Sequence, residues 1–68
     1  MAKNEILPDE FIEEEILKVL NERPMTPSQI YRRMSGAGWL KFRKVLESMN
    51  RKTVRIREVG GKEWVSKR

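Results

Sequence analysis

The chain has 68 residues, of which 37% are charged and 38% hydrophobic, and its formal net charge is +5. This length allows one domain with one small core. The absence of cysteine and histidine excludes disulfides, thiolate and imidazole metal ligands, a cysteine nucleophile and the usual general base. No apolar stretch reaches the roughly 20 residues of a membrane span, and residues 1–22 lack the pattern of a signal peptide. We therefore expect a cytoplasmic protein without a membrane partner.

The first predicted helix begins at Pro8 and Asp9, after an N-terminal segment, residues 1–8, that we expect to be frayed. Proline suits the first turn of a helix, and an acidic residue is favourable at its positive end. An apolar stripe follows at helical spacing, formed by Ile12, Ile16, Val19 and Leu20. The helix is expected to end within residues 21–23, because proline at position 24 stops it. Residues 24–25 are then expected to form a short extended link that pairs at the edge of a small sheet.

The second predicted helix has the best-marked start in the chain. Thr26 can cap it, Pro27 occupies the first helical position, and Gln29 completes a capping box. The residues placed to form the accompanying hydrophobic staple are Met25 and Ile30. We expect this helix to span residues 27–34 and to end at a tight turn, residues 35–38, where glycine allows a left-handed residue.

The third predicted helix spans residues 39–51. Steps of three and four residues return to the same face of a helix, and its apolar stripe consists of Phe42, Val45, Leu46 and Met49. The opposite face holds Leu40, Lys44, Ser48 and Arg51, flanked by Lys41, Arg43 and Glu47. The exposed side of this helix is therefore expected to be basic.

A β-hairpin is predicted at the C-terminal end, where apolar and charged residues alternate through residues 54–58 before Gly60 and Gly61. Two loops are possible, and each sets a different register. A two-residue loop places Glu58 opposite Glu63, whereas a three-residue loop pairs these carboxylates with cations and sets Ile56 opposite Trp64. We expect the three-residue loop, residues 59–61, with Gly61 left-handed and Trp64 in the core.

This order of elements resembles the winged helix-turn-helix family over residues 9–65, and it leaves residues 66–68 as a basic tail. The spacing of four apolar residues is similar to the frame that joins a recognition helix to the first wing strand in that family: Phe42, Leu46, Met49 and Val54. Thr53 occupies the position where a glycine often precedes that strand. The resemblance implies an α+β fold with three helices and a C-terminal β-hairpin wing.

Charge is distributed unevenly along the chain. From Arg23 onward it carries 13 Lys and Arg against three Glu, a net charge of +10, whereas residues 1–22 have a net charge of −5. A basic segment of this size attracts polyanions through counterion release and long-range steering. Together with the resemblance, it implies a small, cytoplasmic and nucleoid-associated transcriptional regulator that binds double-stranded DNA. The short, charged, cysteine-free chain also resembles stand-alone regulators of thermophilic archaea and their viruses or plasmids.

The expected DNA contacts fall on three elements. On the third helix they are Leu40, Lys41, Arg43, Lys44, Ser48 and Arg51. On the second helix they are Tyr31, Arg32 and Arg33. On the hairpin they are Arg55, Arg57 and Lys62. The alternatives are a solvated surface and, for the hairpin, ion pairs with Glu58 and Glu63.

Other functions are weighed from the remaining residues. Glu13 to Glu15 diverge by about 100° per residue around the helix, so they cannot converge on a metal, and we expect no enzymatic activity, metal or cofactor. Phe11 and Leu17 lie outside the main apolar stripe, and either cover the core or form a homodimer surface. Two further functions remain open: a protein-interaction module that uses the acidic helix, and an RNA or single-strand binder that uses Trp39.

Overall fold

A computed structural model of the chain describes residues 8–21, 23–34 and 37–68. Within them, three helices are followed by an antiparallel hairpin. The elements are α1 (Asp9–Val19), α2 (Pro27–Arg32), α3 (Trp39–Met49), β1 (Val54–Val59) and β2 (Lys62–Lys67). The prediction of an α+β fold with three helices and a C-terminal hairpin is confirmed. The first seven residues of the predicted frayed segment lie outside the described residues.

The link between α1 and α2 pairs with the hairpin, as predicted. Met25 forms an antiparallel bridge with Val65, with N···O distances of 2.9 and 2.7 Å in the two directions. The capping box is also present, since Thr26 Oγ1 accepts from the Gln29 amide and Gln29 Oε1 accepts from the Thr26 amide, both at 3.3 Å. Met25 and Ile30 are both buried, as the predicted staple requires. These local bonds fix where α2 starts relative to the sheet.

The helices end earlier than predicted, and the end of α3 has a clear cause. Met49 is its last residue, and Arg51, which was expected to lie on the helix, has a φ of 74°. The Lys52 amide donates to the Met49 carbonyl at 2.9 Å across Asn50 and Arg51. This is the geometry of a type II turn, whose third position favours glycine because φ is positive there. The left-handed residue of this turn is thus Arg51, two positions before Thr53.

Eleven hydrophobic residues, each at most 3% exposed, form the core. They are Ile12, Ile16, Leu20, Met25, Ile30, Phe42, Val45, Leu46, Met49, Val54 and Val65. The expected core position of Trp64 was wrong: this side chain is half-buried and its neighbour Val65 occupies the core. The register of the hairpin turns Val65 towards the core and Trp64 to the opposite face.

The predicted three-residue loop was also wrong. Gly60 and Gly61 alone form the loop, and their φ angles are 60° and 79°. Two successive positive φ angles define a type I′ turn, whose twist matches that of the flanking strands. The resulting register sets Glu58 opposite Glu63, an unfavourable pairing of like charges. Glu63 is compensated from outside the hairpin, because its carboxylate binds an arginine on α3.

The left-handed conformation of Arg51 predicts an unusual response to glycine. Arg51→Gly removes the contact between Cβ and the carbonyl that disfavours positive φ, so we expect the free energy of unfolding to rise by up to about 1 kcal/mol. Lys52→Gly in the same loop, where φ is not positive, is expected to lower it by about 0.5 to 1 kcal/mol. Urea denaturation of the two variants measures the difference. An equal loss of stability in both would contradict the left-handed turn.

Candidate nucleic-acid interface

The α2 candidates divide into one structural residue and two exposed cations. Tyr31 is half-buried, and its hydroxyl donates to the Ala37 carbonyl at 2.9 Å. Its ring meets Trp39 edge-on with centroids 5.1 Å apart, and the Phe42 ring lies at 5.2 Å. Tyr31 therefore holds α2 against α3. The two exposed cations are Arg32 and Arg33.

Trp39, at the first position of α3, lies at the rim of this aromatic cluster. It is 41% exposed, and its ring centroid is 5.4 Å from that of Phe42. The Arg43 guanidinium lies 5.9 Å from the Trp39 ring centroid on the exposed side, within the range of a cation–π interaction. The preceding Gly38 caps the helix with a φ of −79°. It is not left-handed, and residues 35–36 of the predicted turn lie outside the described residues.

The outward face of α3 carries fewer available cations than its sequence suggests. Lys41 Nζ lies 2.8 Å from Asp9 Oδ1 of α1. Arg43 bridges two carboxylates, with Nη2 3.2 Å from Glu47 Oε2 and Nη1 3.1 Å from Glu63 Oε1 of β2. Within the described part of the chain, Lys44 is the one cation of this helix without an ion pair.

Two further α3 candidates have clear positions. Leu40 is 79% exposed, the most exposed large apolar residue described. Ser48 is exposed, but its hydroxyl donates to the Val45 carbonyl of the same helix at 2.7 Å. Leu40 and Lys44 are thus the α3 side chains best placed to meet a partner in front of the helix.

Arg43 connects α3 to the hairpin. Its side chain is 27% exposed, and it reaches Glu63 on the far strand while lying over Trp39. Exposed ion pairs contribute only about 0.2 to 1 kcal/mol each, so a competing anion can replace one of the two carboxylates. Sequence patterns could not predict this contact, because Arg43 and Glu63 are 20 residues apart in the chain.

The two faces of the hairpin differ in charge. Directly opposed residues of an antiparallel pair lie on the same face, so the register places Glu58 and Glu63 on the face that also carries the core residue Val65. The outward face carries Arg55, Arg57, Val59, Lys62, Trp64 and Ser66. It therefore presents three cations and no carboxylate. The alternative of ion pairs within the hairpin is not found in the described residues, since Glu63 binds Arg43 instead.

The basic surface continues to the base of the hairpin. A shallow depression of about 470 Å³ is lined by Asn50, Arg51, Arg55, Ile56, Arg57 and Arg68. Arg68, assigned to a basic tail, is held in place: its amide donates to the Thr53 carbonyl at 3.0 Å and Nη1 to the Arg51 carbonyl at 2.7 Å. β2 runs to Lys67, through two of the three residues given to that tail. Residues 66–68 are all polar and continue no alternating pattern, so the sequence carried no signal for this extension.

The acidic residues lie mainly on α1. Glu10 and Glu14 are exposed, and Glu15 lies 3.8 Å from Lys18. Among the residues that the structure describes, no group of acidic side chains is arranged to hold a metal ion. No helix in the same residues has the length and apolar character needed to cross a membrane.

Phe11 and Leu17, considered together as a possible interface, differ in their environments. Leu17 is half-buried and packs against the core, whereas Phe11 is 44% exposed. Covering the core therefore accounts for Leu17, whereas the Phe11 ring stays largely exposed among the described residues. No protein-family model, curated protein or solved structure matches this chain.

Proposed function

We propose that the protein is a winged helix-turn-helix regulator that binds double-stranded DNA through α3 and the hairpin. The observation that carries the proposal is the sorting of charge on the hairpin, whose outward face holds Arg55, Arg57 and Lys62 without a carboxylate. Carboxylates are concentrated on α1, so the acidic and the basic residues lie mainly on different elements. A surface of this kind favours a polyanion in one orientation.

The arrangement of elements supports the choice of partner. A short capped helix and a longer helix are followed by a hairpin, and Met25 pairs with this hairpin through a single bridge to Val65. This matches the order expected of a winged helix. An α-helix fits the major groove of B-DNA, and α3 presents Leu40 and Lys44 on its exposed side.

The side chains divide into two roles in this proposal. Lys44 reads a base edge in the major groove, where lysine binds guanine acceptors, and Leu40 contacts a thymine methyl. Arg55, Arg57 and Lys62 neutralise phosphates and set the orientation of the duplex without reading sequence. Arg43 links the hairpin to α3 through Glu63, an exposed ion pair of about 0.2 to 1 kcal/mol that a DNA phosphate can replace.

Binding to duplex DNA is expected to weaken steeply with salt. Each phosphate that is neutralised contributes a slope of about −0.9 in a plot of log affinity against log salt concentration. Fluorescence anisotropy with a labelled duplex across a salt series measures the slope. An affinity that does not change with salt would contradict an electrostatic interface.

Lys44 and Lys62 are expected to affect binding differently. Lys44→Ala reduces the preference for a selected duplex over random sequence by about 1 to 3 kcal/mol if the lysine reads a base. Lys62→Ala weakens both duplexes alike, because it removes a phosphate contact. Competition binding measures both effects, with Lys18→Ala on α1 as the charge-matched control. Equal losses of selected and random binding in the Lys44 and Lys62 variants would remove the recognition role of α3.

Removing the carboxylate that neutralises Arg43 is expected to strengthen binding. Glu63→Gln frees one side of the guanidinium for a phosphate, so the salt dependence becomes steeper by about one unit of slope. Glu14→Gln changes the net charge equally on α1 and is expected to leave the slope unchanged. Salt titrations of both variants make the comparison. Identical slopes would indicate that the Arg43–Glu63 pair lies outside the interface.

A further inference from the structure

Trp64 lies outside the core although it is one of the largest apolar residues in the chain. It is half-buried, whereas the next residue, Val65, is fully buried. The half-buried hydrophobic side chains that pack against the core are Leu17, Val19, Tyr31, Met34, Ala37 and Ile56, and Trp64 is not among them. The register places Trp64 on the outward face of the hairpin, directly opposite Arg57.

The two tryptophans of the chain have different environments. Trp39 packs against the rings of Tyr31 and Phe42, which accounts for its presence at the edge of the core. Within the described residues, Trp64 packs against no other aromatic ring. A tryptophan offers roughly 150 to 250 Å² of surface for burial, and the fold uses only part of what Trp64 offers. Trp64 lies on the outward face of the hairpin, where the accessible part of the indole can contact a ligand.

Cations surround Trp64 on this face. Arg57 is its direct cross-strand partner, Arg55 lies two residues before Arg57 on β1, and Lys62 lies two residues before Trp64 on β2. Opposed Cβ atoms are separated by about 4.5 to 5.5 Å, and residues two apart on a strand by about 6.6 Å. Long cationic side chains at these distances reach a ligand that lies on the indole. The face has no carboxylate to repel an anion.

An indole with three cationic neighbours fits a ligand that combines a flat aromatic group with negative charge. Unpaired nucleotides have both, because each base exposes a π-face and each phosphate a charge. Bases of an intact duplex are stacked on each other, so a duplex offers this face its phosphates only. An acidic peptide offers charge without the flat ring.

We propose that the outward face of the hairpin binds single-stranded nucleic acid, with a base stacked on Trp64 and phosphates held by Arg55, Arg57 and Lys62. This site shares Arg55, Arg57 and Lys62 with the duplex contact proposed above, and it differs from that contact in using Trp64 in place of Leu40 and Lys44. It requires unpaired bases, which DNA and RNA strands both supply. Substitutions of Trp64 and of Lys44 therefore test the two proposals separately.

Tryptophan emission provides the direct test, once Trp39→Phe has left Trp64 as the only tryptophan. We expect a short oligodeoxyuridylate or oligouridylate to quench Trp64 emission to saturation. Tighter binding of the RNA strand assigns a role to the 2′-hydroxyl, and equal binding assigns none. Base stacking on an aromatic side chain contributes about 1 to 3 kcal/mol. Trp64→Ala is therefore expected to weaken strand binding, measured by anisotropy in the native background, by about 5- to 150-fold. Trp64→Phe restores much of the affinity because it keeps a ring.

Charge-matched and ligand-matched controls complete the experiment. Arg57→Ala is expected to weaken strand binding more than Arg23→Ala, which removes an exposed arginine outside this face. Lys44→Ala is expected to leave single-strand binding unchanged. Quenching of equal strength by a duplex or by polyglutamate would overturn the proposal, as would emission that stays constant while the strand binds. If Trp64→Ala fails to fold, the emission titration and Trp64→Phe decide the question.

Discussion

The two-residue turn at Gly60 and Gly61 determines which side chains of β2 face the helices. Both residues have positive φ angles, a combination that glycine adopts without steric cost. Side chains alternate between the faces of a strand, so one additional loop residue would exchange every inward and outward residue of β2. The turn therefore places Val65 in the core, Trp64 outside it and Glu63 on the side of α3.

The electrostatic character of the hairpin follows from the same turn. In the alternative register, Glu63 would lie opposite Arg57 and neutralise the outer face. In the structure, Glu63 instead binds Arg43, whose guanidinium also binds Glu47 and lies over Trp39. One carboxylate thus holds the hairpin to α3 and leaves the outer face cationic. The proposed duplex contact and the proposed single-strand contact both depend on this sorting of charge.

Local signals in the sequence predicted the elements well. The capping box, the proline after α1 and the apolar spacing of α3 are each set by neighbouring residues, and the pairing of Met25 follows from an extended link beside a small sheet. The register could not be obtained in this way, because the like charges of Glu58 and Glu63 argue against it within the hairpin. The compensating arginine lies on another element.

The exposure of the candidate residues was predicted more accurately than their ion pairs. The basic character of α3 and the hairpin is a property of the sequence, and Leu40, Lys44, Arg55 and Arg57 are exposed as expected. Lys41 and Arg43 form ion pairs with α1 and β2, which makes both side chains less available to bind a phosphate. These ion pairs join distant parts of the chain, so they form only when the elements pack together.

Arg51 and Arg68 show a second limit of sequence patterns. Arg51 adopts a left-handed conformation at a position without glycine, and Arg68 bonds back to its carbonyl. Both contacts depend on the path of the chain after α3. Propensity favours glycine at such a turn and gives no indication of an arginine there.

Mapping amide chemical shifts during titration with a DNA duplex tests the central claim most directly, because it locates the contact surface without any substitution. We predict that the largest shifts occur in the exposed half of α3, around Leu40 and Lys44, and on the outward hairpin residues Arg55, Arg57 and Lys62. The exposed residues of α1, such as Glu10 and Glu14, are expected to remain unshifted. Shifts concentrated on α1, or an unchanged spectrum at saturating duplex and low salt, would contradict the claim.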